Sequence, residues 1–291
     1  MARDSFGPAA PWRWLQQAAA LLRAHPRELG GTTAMLLAVA LAPSLLQAAL
    51  SAASPQLAQA LAVVLSLLLY PPAVAGFYRV VHALVQGVPV RPSALFAVFG
   101  DAPALRRMVI ANLLFVSGSL LLVATLAWAF GGEALLQFLR ELSALQPGAK
   151  QLPPLPPGVL PLVVVLLLFG AALVSAQGLA FAELALGSRA PLPAIAAALR
   201  LTARNFGALL LFYVPVAVLG FLAFMLVALV AVLLGTLLSL LSPSLAPVLV
   251  LVLSLVLVLA MYALLFTFFY FAWRELFADA PPPPPLHQIA A

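Results

Sequence analysis

Six stretches of this chain carry no acidic or basic side chain: Thr32 to Ala53, Leu57 to Tyr78, Met108 to Phe130, Val159 to Phe181, Phe206 to Thr236 and Pro247 to Phe271. A hydrocarbon layer about 30 Å thick is crossed by a helix of about 20 apolar residues, and each stretch reaches that length. Soluble packing offers no alternative. Only 8% of the residues are charged and 65% are apolar, whereas soluble domains run near 25% and 45–50%. With no water to satisfy the backbone inside a bilayer, such spans must be helical. The expected fold class is therefore all-α: a polytopic membrane protein with six transmembrane helices.

Orientation follows from the arginines. Arg3, Arg13, Arg23, Arg27, Arg79, Arg91, Arg106, Arg107, Arg189, Arg200, Arg204 and Arg274 all fall on one side of six spans, leaving Arg140 and Lys150 on the other. By the positive-inside rule the arginine-rich side is cytoplasmic and both termini lie there. Arginine outnumbers lysine thirteen to one and Ala, Leu and Pro are heavily used, which is the usage of a GC-rich bacterial genome. The expected location is the bacterial inner membrane. The polar region before the first stretch is about 30 residues long, against the short n-region of a signal peptide, so that stretch is read as a retained span. A nucleic-acid partner is not expected: the basic residues sit at span ends, where orientation and anionic headgroups account for the net charge of +6.

Residues 1–280 form one transmembrane domain on this reading, and 281–291 a proline-rich, disordered cytoplasmic tail. Uncharged turns at Ser51 to Gln56 and Ser239 to Ser244 close two far-side hairpins. Pro215 and Gly220 interrupt the fifth stretch without a charge, which predicts one tilted or kinked helix, with two short re-entrant pieces as the alternative. Between the third and fourth spans, Leu135, Leu136, Phe138, Leu139, Leu142 and Leu145 oppose Glu133, Gln137, Arg140 and Glu141, predicting a short periplasmic surface helix. A stiff proline-rich connector from Pro147 to Gly158 follows it.

One order of parts occurs three times: a short amphipathic segment, a Pro or Asn beside basic residues, a span, a turn and a returning span. The first copy carries the stripe Trp14, Leu15, Ala18, Leu21 and Leu22, the second Leu95, Phe96, Val98 and Phe99, the third Ile195, Ala198, Leu199 and Thr202. Two spans per unit give the units the same orientation, hence parallel repeats about an axis near the membrane normal, with a seam or cavity on that axis. The amphipathic segments are expected as elbow helices in the cytoplasmic interface, with Trp12 and Trp14 at headgroup depth.

Catalytic chemistry is sparse. His25, His82 and His287 lie in separate segments, there is no H-E-x-x-H, Gly-x-Ser-x-Gly or P-loop pattern, and the chain has no cysteine. No catalytic residue, metal ligand or cofactor is assigned. A minor enzymatic reading would use Glu183 as acid, His82 as base and Arg79 as phosphate clamp at the cytoplasmic boundary. Candidate cavity contacts are the span residues that are polar or break the helix: Tyr70, Pro71, Pro72, Asn112 and Gln177. Candidate headgroup contacts are Arg23, Arg27, Arg79, Arg106, Arg107, Arg200 and Arg204.

Trp12-Arg-Trp14, the leucine-rich segment after it, Arg23 near His25-Pro26 and the Gly87-Val-Pro-Val segment together resemble a group of uncharacterised six-span bacterial inner-membrane proteins. That group is related in layout to the membrane domain of some glycerophosphodiester phosphodiesterases. The resemblance implies a membrane role close to lipids. It carries no catalytic residue onto this chain, and the soluble phosphodiesterase domain has no counterpart in it. The expected function is non-catalytic, in envelope or lipid homeostasis or in support of a membrane partner. The alternative is a facilitator or transporter moving lipids or small amphiphiles between the repeats. Expected partners are membrane lipids, and another membrane protein or a second copy of the chain.

Overall fold

The computed structural model describes residues 7–143, 154–239 and 245–277. Nine α-helices and a 3-10 segment are described, with no strand among the described residues: α1 (Ala10–Ala24), α2 (Pro26–Leu50), α3 (Pro55–Val85), the 3-10 segment (Pro92–Gly100), α4 (Ala102–Phe130), α5 (Gly132–Ser143), α6 (Val159–Leu186), α7 (Pro191–Arg204), α8 (Phe206–Ser239) and α9 (Leu245–Leu276). Six of these, α2, α3, α4, α6, α8 and α9, are long and apolar enough to cross a membrane.

Local chemistry sets the helix starts. Prolines occupy the first turn of α2, α3 and α7, where a missing N–H costs nothing. Ser54 accepts from the backbone N–H of Leu57, and Asp101 from that of Ala104, so α3 and α4 begin on side-chain caps. The first turn occupies Ser51–Ser54, and Pro55 and Gln56, expected in it, already belong to α3. The second turn, the connector's first half and the tail fall largely or wholly outside the described residues. The fifth stretch is one continuous helix running through Pro215, and the surface helix between the third and fourth spans is α5.

At the arginine-rich end the helices outrun the apolar stretches. α3 continues to Val85 where the apolar stretch stops at Tyr78, α6 to Leu186 where it stops at Phe181, and α9 to Leu276 where it stops at Phe271. At about 1.5 Å per residue, the 31 residues of α3 span about 46 Å, well beyond a hydrocarbon layer of about 30 Å. Hydropathy ends at the first charge. The helix does not, because these extensions are packed against neighbours.

That packing is where the core sits. Buried positions crowd residues 71–84 of α3, 175–185 of α6 and 263–276 of α9, while the other halves of the spans expose Leu45, Val64, Leu121, Leu160 and Leu167. α3, α6 and α9 contact one another, and a short amphipathic segment lies on each: the 3-10 segment on α3, α7 on α6 and α1 on α9. Gly76 is where the first of these seats, since a Cβ there would run into the Leu95 carbonyl. Gly178 lies under the Phe269 ring in the same way.

Two expectations about these segments change. The second is a 3-10 turn, whose three-residue period superposes Leu95 and Val98 on the buried face and leaves Phe96 44% exposed. Trp14 is 1% exposed, packed inside the core, where its indole N–H meets the Glu275 carboxylate. Trp12 stays at the surface, edge-on to Phe212.

Candidate functional site

Most titratable side chains of the described residues gather where α3, α6 and α9 end. The helices are joined there in a closed triangle of polar contacts. Tyr78 donates to the Gly178 carbonyl (3.2 Å), linking α3 to α6. The Trp273 indole donates to Glu183 (2.8 Å), linking α9 to α6. His82 Nδ1 lies 3.0 Å from the Tyr270 hydroxyl, linking α3 to α9.

Charges in this cap are spent on holding the short segments. Arg79 reaches Asp101 at 2.8 Å, clasping α3 to the end of the 3-10 segment. Glu275 takes hydrogen bonds from Arg13 (2.8 Å) and from the Trp14 indole (2.7 Å), clasping α9 to α1. Glu183, 5% exposed, faces Arg189 at 3.8 Å, and that guanidinium also stacks over Phe277. The hydrogen bond from Arg79, with the Ala104 N–H and the Arg107 charge behind it, holds the Asp101 carboxyl below the usual carboxylate range. A buried Glu is tolerated only when its charge is matched, and the indole and guanidinium supply that match.

Arg79, His82 and Glu183 share the cap but not a bond. Arg79 is engaged by Asp101 and the Ala185 carbonyl. His82 is engaged by Tyr270 and by the Gln86 amide at 2.8 Å, and Glu183 by Trp273 and Arg189. Each makes its contacts to different third residues. Among the described residues no three His, Asp or Glu side chains come close enough to hold a metal ion.

The span candidates are scattered. Pro71 and Pro72 are fully buried at the start of the packed part of α3, with Tyr70 partly covered beside them. Asn112 is buried in α4, and Gln177 is partly exposed on α6. None of these five lines either of two cavities found elsewhere. One is a void of about 10 Å³ among Trp14, Ser175, Leu179 and Phe268. The other is a groove of about 530 Å³ opening between α4, α6, α7 and α8, walled by Leu122, Leu168, Leu173, Leu199 and Phe206.

The arginine candidates divide. Arg23, Arg27, Arg106, Arg200 and Arg204 are exposed around the rim of the cap, on α1, α2, α4 and α7. Arg79 and Arg107 turn inward, toward Asp101. Glu275 and Tyr270 were not singled out from the sequence because both lie just past or at the edge of an apolar stretch; the aromatic run Phe268 to Trp273 leading into Arg274 and Glu275 was the available signal. Sequence reasoning could not have found the groove, which exists only once four helices are placed. Compared with protein families, characterised proteins and solved structures, the chain shows no match.

Proposed function

We propose that this is a non-catalytic polytopic protein of the bacterial inner membrane, serving envelope or lipid homeostasis by presenting an arginine-rimmed cytoplasmic cap to anionic lipid and to a membrane partner. The observation that carries the reading is the division of labour among the charges. Arg13, Arg79 and Arg189, with Glu275, Asp101 and Glu183, fasten α1, the 3-10 segment and the turn before α7 to the three returning helices, while Arg23, Arg27, Arg106, Arg200 and Arg204 are exposed around the rim. A rim of this kind attracts the anionic leaflet, each basic residue adding about 1 kcal/mol near the surface.

On this reading the short segments are interfacial elbows, and the three units are parallel repeats. Supporting that, each short segment leans on the returning helix of the unit before it, with α1 completing the circle on α9. The resemblance in layout to lipid-associated membrane domains points the same way. Purification into lipid nanodiscs after cross-linking in cells tests the proposal. It expects reproducible enrichment of anionic phospholipid or of one membrane partner, and neither being enriched over an unrelated six-span protein refutes it.

A second reading, facilitated movement of lipids or small amphiphiles, draws on the lateral groove between α4, α6, α7 and α8. Labelled lipid crossing protein-containing liposomes no faster than empty ones removes it.

A further inference from the structure

The six spans pair as three hairpins, α2 with α3, α4 with α6 and α8 with α9, and the core between them stops at one depth. Buried residues run from the arginine-rich ends as far as Leu36 of α2, Pro71 of α3, Phe115 of α4, Ser175 of α6, Phe212 of α8 and Ala263 of α9. Beyond that depth the buried span residues, among those described, are Pro43, Ala58, Ala62, Leu162 and Gly235. Side-chain ties respect the same boundary. Tyr78 to Gly178, His82 to Tyr270, Trp273 to Glu183 and Ser175 to Tyr213 join different hairpins, and all belong to the packed end. On the far side, the tie between spans among the described residues is Gln47 to Gln59, which stays within the first hairpin.

The helices are also weakest at this depth. Pro43, Pro71, Pro72 and Pro215 have no N–H, so the carbonyls of Val39, Leu67, Leu68 and Leu211 lose their helical donor. In α4 and α6 the corresponding places hold Gly118 and Gly170. Glycine in a membrane span ordinarily lets another helix approach closely. Nothing lies within 4 Å of the Cβ that either of these would carry, so packing does not account for them. Pro43, Pro71, Gly118 and Gly170 each stand about 15 residues, roughly 22 Å, from the arginine-rich end of their helix. α9 is the exception, with neither glycine nor proline from Val248 to Leu276.

We propose that the first and second hairpins pivot at this level against a fixed cap, with α9 holding the third hairpin as the post they swing against. The space between hairpins on the far side then opens and closes while the cap stays intact. A pivot costs least where the backbone is soft and no bonds to a neighbouring hairpin must break. The groove walled by Leu122 of α4 and by Leu168 and Phe169 of α6 lies across the pivot of the second hairpin, so its width changes with the swing. Neither the pivot nor its test depends on what the exposed arginines bind.

Spin labels on the full chain in lipid nanodiscs, read by pulsed electron paramagnetic resonance, test the pivot. Ala129→Cys with Leu234→Cys, and Ser51→Cys with Leu234→Cys, join the far ends of different hairpins. Ala129→Cys with Leu160→Cys stays within the second hairpin, and Ser93→Cys with Ser188→Cys stays on the cap; all these side chains are exposed. The pairs between hairpins are expected to give distance distributions about twice as wide as the other two pairs or wider. They are also expected to shift between nanodiscs of short-chain and long-chain phosphatidylcholine, because spans adjust their tilt to bilayer thickness. Gly118→Ala with Gly170→Ala, which meets no neighbour and leaves folding intact, is expected to narrow the Ala129–Leu234 distribution and leave Ser51–Leu234 as it was. Distributions between hairpins as narrow as that of the cap overturn the pivot, as does an unaltered Ala129–Leu234 width in the folded double-alanine protein. A wide Ala129–Leu160 distribution also contradicts it, since the second hairpin would then be fraying instead of swinging as a unit.

Discussion

Replacing Gly76 by alanine sets two effects of opposite sign against each other. In a helix interior the change should stabilise by about 1 kcal/mol, since glycine is the poorer helix former. Here the added Cβ would stand 2.8 Å from the carbonyl carbon of Leu95 and closer still to its oxygen, against an ordinary contact of at least 3.4 Å. Those are backbone atoms, so no side-chain rotation relieves the clash and the 3-10 segment must move bodily by about 1 Å or more. It takes with it Leu95 and Val98, both fully buried, and strains the Arg79–Asp101 contact. Overpacking of this kind costs about 1–3 kcal/mol and can cost more against rigid backbone, so the net effect is destabilising. Gly30 is the control: nothing lies within 4 Å of its would-be Cβ, and Gly30→Ala should be neutral or stabilising by up to about 1 kcal/mol. Thermal unfolding in detergent, followed by intrinsic fluorescence, reads both. A Gly76→Ala protein melting at or above the wild type would show that the 3-10 segment does not seat on α3 as described.

Further outcomes follow from the cap. Glu183→Leu leaves the Trp273 indole and Arg189 unmatched and should cost about 1–3 kcal/mol, whereas Glu183→Gln keeps the indole hydrogen bond and should cost less; equal melting temperatures for the two would refute the assignment. Because the folded-state Asp101 carboxyl is held below its ordinary range, it stabilises above the unfolded-state value and that contribution disappears as pH falls through the lowered one. Acid titration of unfolding should therefore lose one step below about pH 4 in Asp101→Asn, and an unchanged acid limb counts against the Arg79 contact. Tyr213→Phe removes the 2.7 Å hydrogen bond to Ser175 that ties α8 to α6 and should cost about 0.5–1.5 kcal/mol. Hydrogen exchange over the first turns of α8 checks it, and no gain in exchange would contradict the tie.

The six crossings were legible because each is written as a long run without charge, and no soluble surface can be made from so few ionisable groups. Their ends at the arginine-rich side were not. Arg79, Glu183 and Glu275 stop a hydropathy window while serving as the clasps that let α3, α6 and α9 continue. The burial of Trp14 shows the same limit, since nothing in its own segment marks Glu275, whose carboxylate takes the indole hydrogen bond at 2.7 Å. The 3-10 winding of residues 92–100 was illegible because Leu95 and Val98 share a face under either helical period. The groove is a property of spacing between four helices, and Ala172 or Ala203 in an alanine-rich chain carries no mark of facing a gap.

Six crossings, with the orientation proposed from the arginines, place the arginine-rich ends together on the cytoplasmic face. The chain has no cysteine, so single cysteines can be placed at exposed Ser93 and Ser188 on that side and at exposed Ser51 and Ser143 on the other. Membrane-impermeant maleimide applied to right-side-out and inverted vesicles then reads the topology directly. Labelling of Ser93→Cys and Ser188→Cys only in inverted vesicles, and of Ser51→Cys and Ser143→Cys only in right-side-out ones, is the predicted result. Positions 93 and 188 reacting from opposite faces would contradict the arrangement of the cap and everything built on it.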